Sequence, residues 1–124
     1  MHFQTPAKIL SQNQIDYDVI PADIFEKREH YKTWTEKGRL HINQESYRIL
    51  IIPYVKRIPA SVAVFIQEAA MQEIKVCFVN GYPEGICGSS QPLPEEIDSC
   101  DVVPLEEMGA YVKEHNYAGS MLEA

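Results

Sequence analysis

The chain has 124 residues, 45% of them hydrophobic and 23% charged, a size and balance that fit one globular domain. It is too short for a (β/α)₈ barrel, which takes roughly 200 residues or more. No apolar run approaches the ~20 residues of a membrane span, and Met1-His2-Phe3-Gln4 lacks the basic start and apolar core of a signal peptide. A cytoplasmic location is therefore the default expectation for a chain that is not a fragment; a fragment of a secreted enzyme would leave the compartment open.

The net charge of −7 is unevenly spread: residues 1–62 carry +2 and residues 63–124 carry −9. The acidic half would repel nucleic acid. The basic cluster Lys27, Arg28, Lys32, Lys37 and Arg39 is interrupted by Glu26, Glu29 and Glu36, the pattern of a solvated face. Neither a nucleic acid nor a membrane is expected as a partner. Cys77, Cys87 and Cys100 are an odd number with no C-x-x-C pair, so neither a disulfide framework nor a zinc site follows. Cys77 lies in an apolar run and reads as a small buried hydrophobe. No metal or other cofactor is expected.

In chain order, Thr5 can cap and Pro6 can open a helix reaching about Asn13. Tyr17–Ile20 reads as a short strand stopped by Pro21, and residues 21–25 as a turn. Glu26 to Lys37 shows no clear period and is expected to be a surface excursion. Residues 38–42 alternate like an edge strand, with Asn43-Gln44 turning after them. From Tyr47 to Ile52, four consecutive aliphatics before Pro53 describe a strand covered on both faces, as in a parallel sheet. From Pro59 to Glu73 the period becomes helical, with Val62, Phe65, Ile66 and Ala69 on one face.

Residues 74–79 form the next expected strand, stopped by Asn80-Gly81, and a loop runs from Gly81 to Pro92. Pro94–Ile97 suits one helical turn, Asp101–Val103 a strand, and Leu105 to about His115 a helix with acids at its start and bases at its end. The expectation is a single domain over residues 1–116 with a C-terminal tail at 117–124. Its class is α/β, in three layers, with a mainly parallel sheet flanked by helices.

Catalytic patterns are sparse. There is no P-loop, no dinucleotide fingerprint after a strand, and no G-x-S-x-G elbow. Gly85-Ile86-Cys87-Gly88-Ser89 approaches a cysteine nucleophile elbow but ends on Ser89, which leaves a hydrolase using Cys87 as the weakest of three readings. His2, His30, His41 and His115 are scattered, and His41 is expected to be solvated. Asp16 and Asp18 would share one face of a strand and could hold a cation, or else serve as turn and edge residues. Position supplies the remaining candidates. In an open parallel sheet, ligands bind beyond the carboxyl ends of the strands, here near Asp23, Tyr54, Asn80 and Tyr82. The two tyrosines could stack on a sugar ring while Asp23 and Asn80 bond its hydroxyls. The alternative is that these residues end strands for backbone reasons.

Four segments together carry a resemblance: Ile15–Asp23, Gly38-x-Leu40 with Tyr47–Tyr54, Phe78–Gly85, and Val102–Glu107. Over about residues 7–115 the chain resembles the glutamine-amidotransferase-like, flavodoxin-like domain of large bacterial glycoside hydrolases, the module similar to the β-galactosidase trimerisation domain. The resemblance implies a non-catalytic accessory domain. It would support the active-site cleft or subunit assembly of an enzyme of carbohydrate metabolism, with the catalytic carboxylates on a separate barrel. The partners implied are the catalytic and other domains of a parent glycosidase, together with a homo-oligomer. The amidotransferase nucleophile is not matched, and the first strand of the fold is expected to be absent. The exposed sheet edge this leaves, with Phe25 and Trp34 in the surface excursion, predicts self-association. The alternative function is a stand-alone small-ligand or sugar-binding α/β module.

Overall fold

The computed structural model of the protein describes residues 17–115 and 119–122; the helix expected over residues 5–13 lies outside them, as does Asp16. Its centre is a sheet of five strands, all parallel: β1 (Tyr17–Ile20), β5 (Ile49–Ile52), β7 (Lys75–Val79), β9 (Asp101–Val103) and β10 (Gly119–Leu122). Their spatial order is β1-β10-β5-β7-β9. Four strands therefore cross the sheet in chain order, and the last is inserted between the first and second.

The aliphatic run in β5 has the physical basis expected of it, because Ile49, Leu50, Ile51 and Ile52 are all buried. Side chains alternate between the faces of a strand, and two separate cores result. Leu50, Ile52, Val76, Phe78 and Leu122 face one core, which also takes Val62, Phe65, Ile66 and Ala69 of helix α2 (Ala60–Gln72). Ile49, Ile51, Cys77, Val79 and Met121 face the other, with Met108 of helix α3 (Met108–His115). Helices thus cover both faces of a parallel sheet.

The excursion after β1 is a structured layer. A short helix α1 (Arg28–Tyr31) leads into an antiparallel meander of β2 (Trp34–Glu36), β3 (Arg39–Ile42) and β4 (Glu45–Tyr47). Asn43, at φ 53°, makes the left-handed corner of the second hairpin. Strand β3 alternates as expected, with Leu40 and Ile42 inward, but it is the central strand of the meander and not an edge. Tyr47 and Ile49 belong to different sheets: Tyr47 pairs antiparallel with Leu40, whereas Ile49 pairs parallel with Gly119 and Lys75. The segment read as one strand is therefore two, broken at Arg48.

Phe25 does not await a partner. It is 7% exposed and stacks on Phe65 with ring centroids 4.0 Å apart. Trp34 is 51% exposed and stacks flat on His41 at 3.9 Å. His41 is not freely solvated, since its ring also pairs with the Glu36 carboxylate. Glu68 of α2 fastens this layer, accepting 3.1 and 2.8 Å bonds from the Arg28 guanidinium and one from the Thr35 hydroxyl.

Residues 119–122, expected within a C-terminal tail, form β10. Ser120, Met121 and Leu122 are 0, 3 and 5% exposed, and the Ser120 hydroxyl donates to the Ile49 carbonyl at 2.6 Å. The loop after β7 also contains a strand, β8 (Gly85–Ile86), paired parallel with β6 (Arg57–Ile58). The expected turn near residue 94 is a 3₁₀ segment, Glu95–Ser99, and a second 3₁₀ turn, Leu105–Glu107, precedes α3. Among the described residues no helix is long and apolar enough to cross a membrane.

Candidate functional site

Because β1, β5 and β7 are parallel, their carboxyl ends share one edge of the sheet, and the residues singled out from the sequence follow those ends. Strands β5 and β7 are neighbours, which brings Tyr54 beside the Asn80–Tyr82 turn. The Tyr54 ring lies over Gly81: a methyl group added there would sit 3.8 Å from its Cδ1 and Cε1 carbons. Asp23 stands apart, because β10 separates β1 from β5 and sets them about 10 Å apart at ordinary strand spacing. The structure therefore gathers Tyr54, Asn80 and Tyr82 on adjoining loops and leaves Asp23 outside the group.

Asp23 serves its own turn. Its carboxylate accepts from the Tyr31 hydroxyl at 3.1 Å and pairs with the Lys27 ammonium at 3.2 Å, while its carbonyl accepts from the amides of Glu26 and Lys27. The hydrogen bond from Lys27 is the main cause that holds its carboxyl below the usual range, with the Tyr31 bond adding to it. Asn80 occupies the left-handed region at φ 65°, a conformation that asparagine tolerates better than most residues. Its amide donates to the Val103 carbonyl at 3.0 Å and its Oδ1 accepts from the Leu105 amide at 2.8 Å. It thereby ties the end of β7 to the first turn of the 3₁₀ segment after β9, satisfying an amide that opens that turn.

Tyr82 donates its hydroxyl to the Cys100 carbonyl at 2.7 Å and meets Phe78 edge-on at 5.5 Å. Burial is the largest cause raising its phenol above the ordinary value. The Tyr54 ring is the open element of the group, 51% exposed, with Tyr82 38% exposed beside it. Beneath them, the β6–β8 pair ties the loops after β5 and β7 together. Glu84 donates its amide to Lys56 at 2.7 Å, and Cys87 donates its amide to Ile58 at 2.8 Å. The Arg57 guanidinium lies over Gly85, where a Cβ would sit 3.0 Å from its nearer nitrogen. This parallel pair is two residues long on each side, too short for any period in the sequence to reveal.

The thiols differ by burial. Cys87 is exposed, and its sulfur lies 3.5 Å from the Arg57 carbonyl. Burial pushes Cys77 up to about 12 and Cys100 up to about 11, so both are protonated and poor nucleophiles at neutral pH. Asp18, half of the carboxylate pair considered for a cation, accepts from the Tyr47 hydroxyl at 2.7 Å. Among the described residues, no group of three or more His, Cys, Asp or Glu could hold a metal ion.

Among the described residues, two cavities lie away from the tyrosines. One, of about 200 Å³, sits at the amino end of β7 against α2, lined by Ile66, Ala69, Ile74, Lys75, Ser99 and Cys100 among others. The other, of about 300 Å³, lies between α2 and the loop after β8, with Ala63, Val64, Ile86, Ser89, Pro92 and Pro94 in its wall. Sequence reasoning had no signal for either, since both arise where the 3₁₀ segment and its preceding loop fold back on a helix distant in the chain. Comparison with protein-family models, curated proteins and solved structures returned no match to this chain.

Proposed function

We propose that this chain is a non-catalytic accessory domain of a glycoside hydrolase, acting through its surfaces to support a neighbouring catalytic domain or subunit assembly. One observation carries the reading. At the edge where an open parallel sheet would gather its reactive groups, three of the four candidate side chains hold loops: Asp23 its own turn, Asn80 the 3₁₀ turn at Leu105, and Tyr82 the Cys100 carbonyl. The strand order supports the flavodoxin-like part of the proposal. Numbering β1, β5, β7 and β9 as strands 2 to 5, the slot of strand 1 in the 2-1-3-4-5 order is the one that β10 fills.

The test is to read the adjoining frame and co-express its product with this chain. A barrel enzyme encoded there that co-purifies with the chain supports the proposal. Saturable hydrolysis of aryl glycosides or of glutamine by the purified chain alone overturns it. A second reading, a sugar-binding module, is favoured by the open faces of Tyr54 and Tyr82 on adjoining loops. Calorimetric titration with simple sugars, repeated with Tyr54→Ala, decides it: heat of binding lost in the variant supports that reading, and no heat with either protein removes it.

A further inference from the structure

The outer face of the β2–β3–β4 meander carries a feature that packing does not require. Side chains alternate between the faces of a strand. Thr35, Leu40 and Tyr47 turn inward, where Thr35 bonds Glu68 and the other two are buried. Trp34, Glu36, Arg39, His41 and Ser46 therefore share the outward face. The register sets Trp34, His41 and Ser46 in one row across the three strands, with Glu36 opposite Arg39 in the next. The Trp34 ring lies flat on His41, 5° from parallel with centroids 3.9 Å apart, and the His41 ring is itself paired with the Glu36 carboxylate. One face of the indole is thus fixed against an anchored imidazole, yet Trp34 stays 51% exposed among the described residues, so its opposite face is open. An aromatic ring oriented before contact gives up little entropy on binding.

We propose that Trp34 is the floor of a saccharide-binding platform: a neutral pyranose stacks its C–H face on the open side of the indole, and Glu36 and Arg39 on the same sheet face bond its hydroxyls. The surroundings of Trp34 select this ligand class. A protein partner needs about 800 Å² on each side, but Leu40, Ile42 and Tyr47 of the meander are buried and leave the indole as its one large exposed hydrophobic. A nucleotide or other polyanion meets a chain of net charge −7. An organic cation would find the Glu36 carboxylate already paired with His41 and the Arg39 guanidinium beside it. A sugar ring presents weakly positive C–H bonds to the negative face of an aromatic ring, and its hydroxyls both donate and accept. This deepens the sugar-binding reading by adding a surface on the meander, away from Tyr54 and Tyr82, and it stands whether or not a barrel enzyme co-purifies with the chain.

Trp34 is the single tryptophan of the chain, so its emission reports on the platform directly. The full chain is titrated with the methyl pyranosides of glucose, galactose and rhamnose, and with tetramethylammonium chloride as a cationic control, followed by fluorescence and by calorimetry. At least one glycoside should shift the emission saturably and release heat, and the ammonium salt should do neither. Trp34→Ala, at an exposed position, should fold as the parent does by circular dichroism and weaken binding by about tenfold or more. Trp34→Phe, which keeps a ring, should weaken it less, and Tyr54→Ala should bind as the parent does. No response to any of the three glycosides, a response to the ammonium salt alone, unchanged heat with Trp34→Ala, or heat lost with Tyr54→Ala would each overturn the proposal.

Discussion

Glu68→Ala should cost about 2 kcal/mol, because it removes the α2 acceptor that holds both α1 and β2. The two bonds from Arg28 are 3.1 and 2.8 Å long, and the side chains of the pair are 31 and 28% exposed. That places the pair between a solvated salt bridge, worth about 0–1 kcal/mol, and a buried one, whose breakage costs about 3–5. For a chain of this length, about 2 kcal/mol corresponds to a fall in Tm of roughly 6–10 °C. The pH dependence has a fixed sign. The hydrogen bond from Arg28 is the main cause that lowers the Glu68 carboxyl from its ordinary 4.5. The stabilisation is therefore fully present above that ordinary value and fades as pH falls through the depressed one. Thermal melts followed by circular dichroism, at steps from pH 7 downward, should show a constant gap between wild type and variant that closes only in acid. Glu68→Gln, which keeps an acceptor without the charge, should lose about half as much. A gap under about 2 °C at neutral pH, or one that widens on acidification, would refute the reasoning.

Other substitutions address the corrected and confirmed parts of the account. Phe25→Ala should cost about 3–5 kcal/mol, read as a shift in the urea midpoint, since it empties a buried site stacked on Phe65. A change under about 1 kcal/mol would return Phe25 to the surface. Asn80→Ala should destabilise by about 1–2 kcal/mol and Asn80→Asp by much less, because aspartate keeps an acceptor for the Leu105 amide and tolerates φ 65°. Native thiol titration with a chromogenic disulfide should find Cys87 reacting fast, half-buried Cys100 more slowly, and buried Cys77 only on unfolding. Three equally fast thiols would contradict the packing of both cores.

What the sequence could reveal depended on whether a segment's structure is decided locally. The four aliphatics at 49–52 need burial on both faces whatever surrounds them, and the spacing of Val62, Phe65, Ile66 and Ala69 needs a helix; both are found as read. Strand β10 could not be read this way. Gly119-Ser120-Met121-Leu122 has no alternation, and a glycine at its start argues against a strand. It is a strand because β1 and β5 offer backbone partners on both sides. Arg48 hides a switch of sheets inside what looks like a single run, again because the partners of Tyr47 and Ile49 lie far away in the chain. The candidate site was legible in position but not in purpose. Parallel strands do put Tyr54, Asn80 and Tyr82 on one edge, but nothing local to Asn80 or Tyr82 foretells that they reach Leu105 and Cys100. Asp23 falls outside the group because of β10, the element the sequence did not disclose.

The arrangement of the central sheet, on which every functional statement rests, is open to one direct measurement: residue-resolved amide hydrogen exchange in the native state. The account predicts that the amides of 120–122 are protected to the same order as those of 50–52 and open together with them, since the two strands share one ladder. Rapid, unprotected exchange at 120–122 beside a protected 50–52 would mean that β10 is not in the sheet, and would contradict the strand order itself.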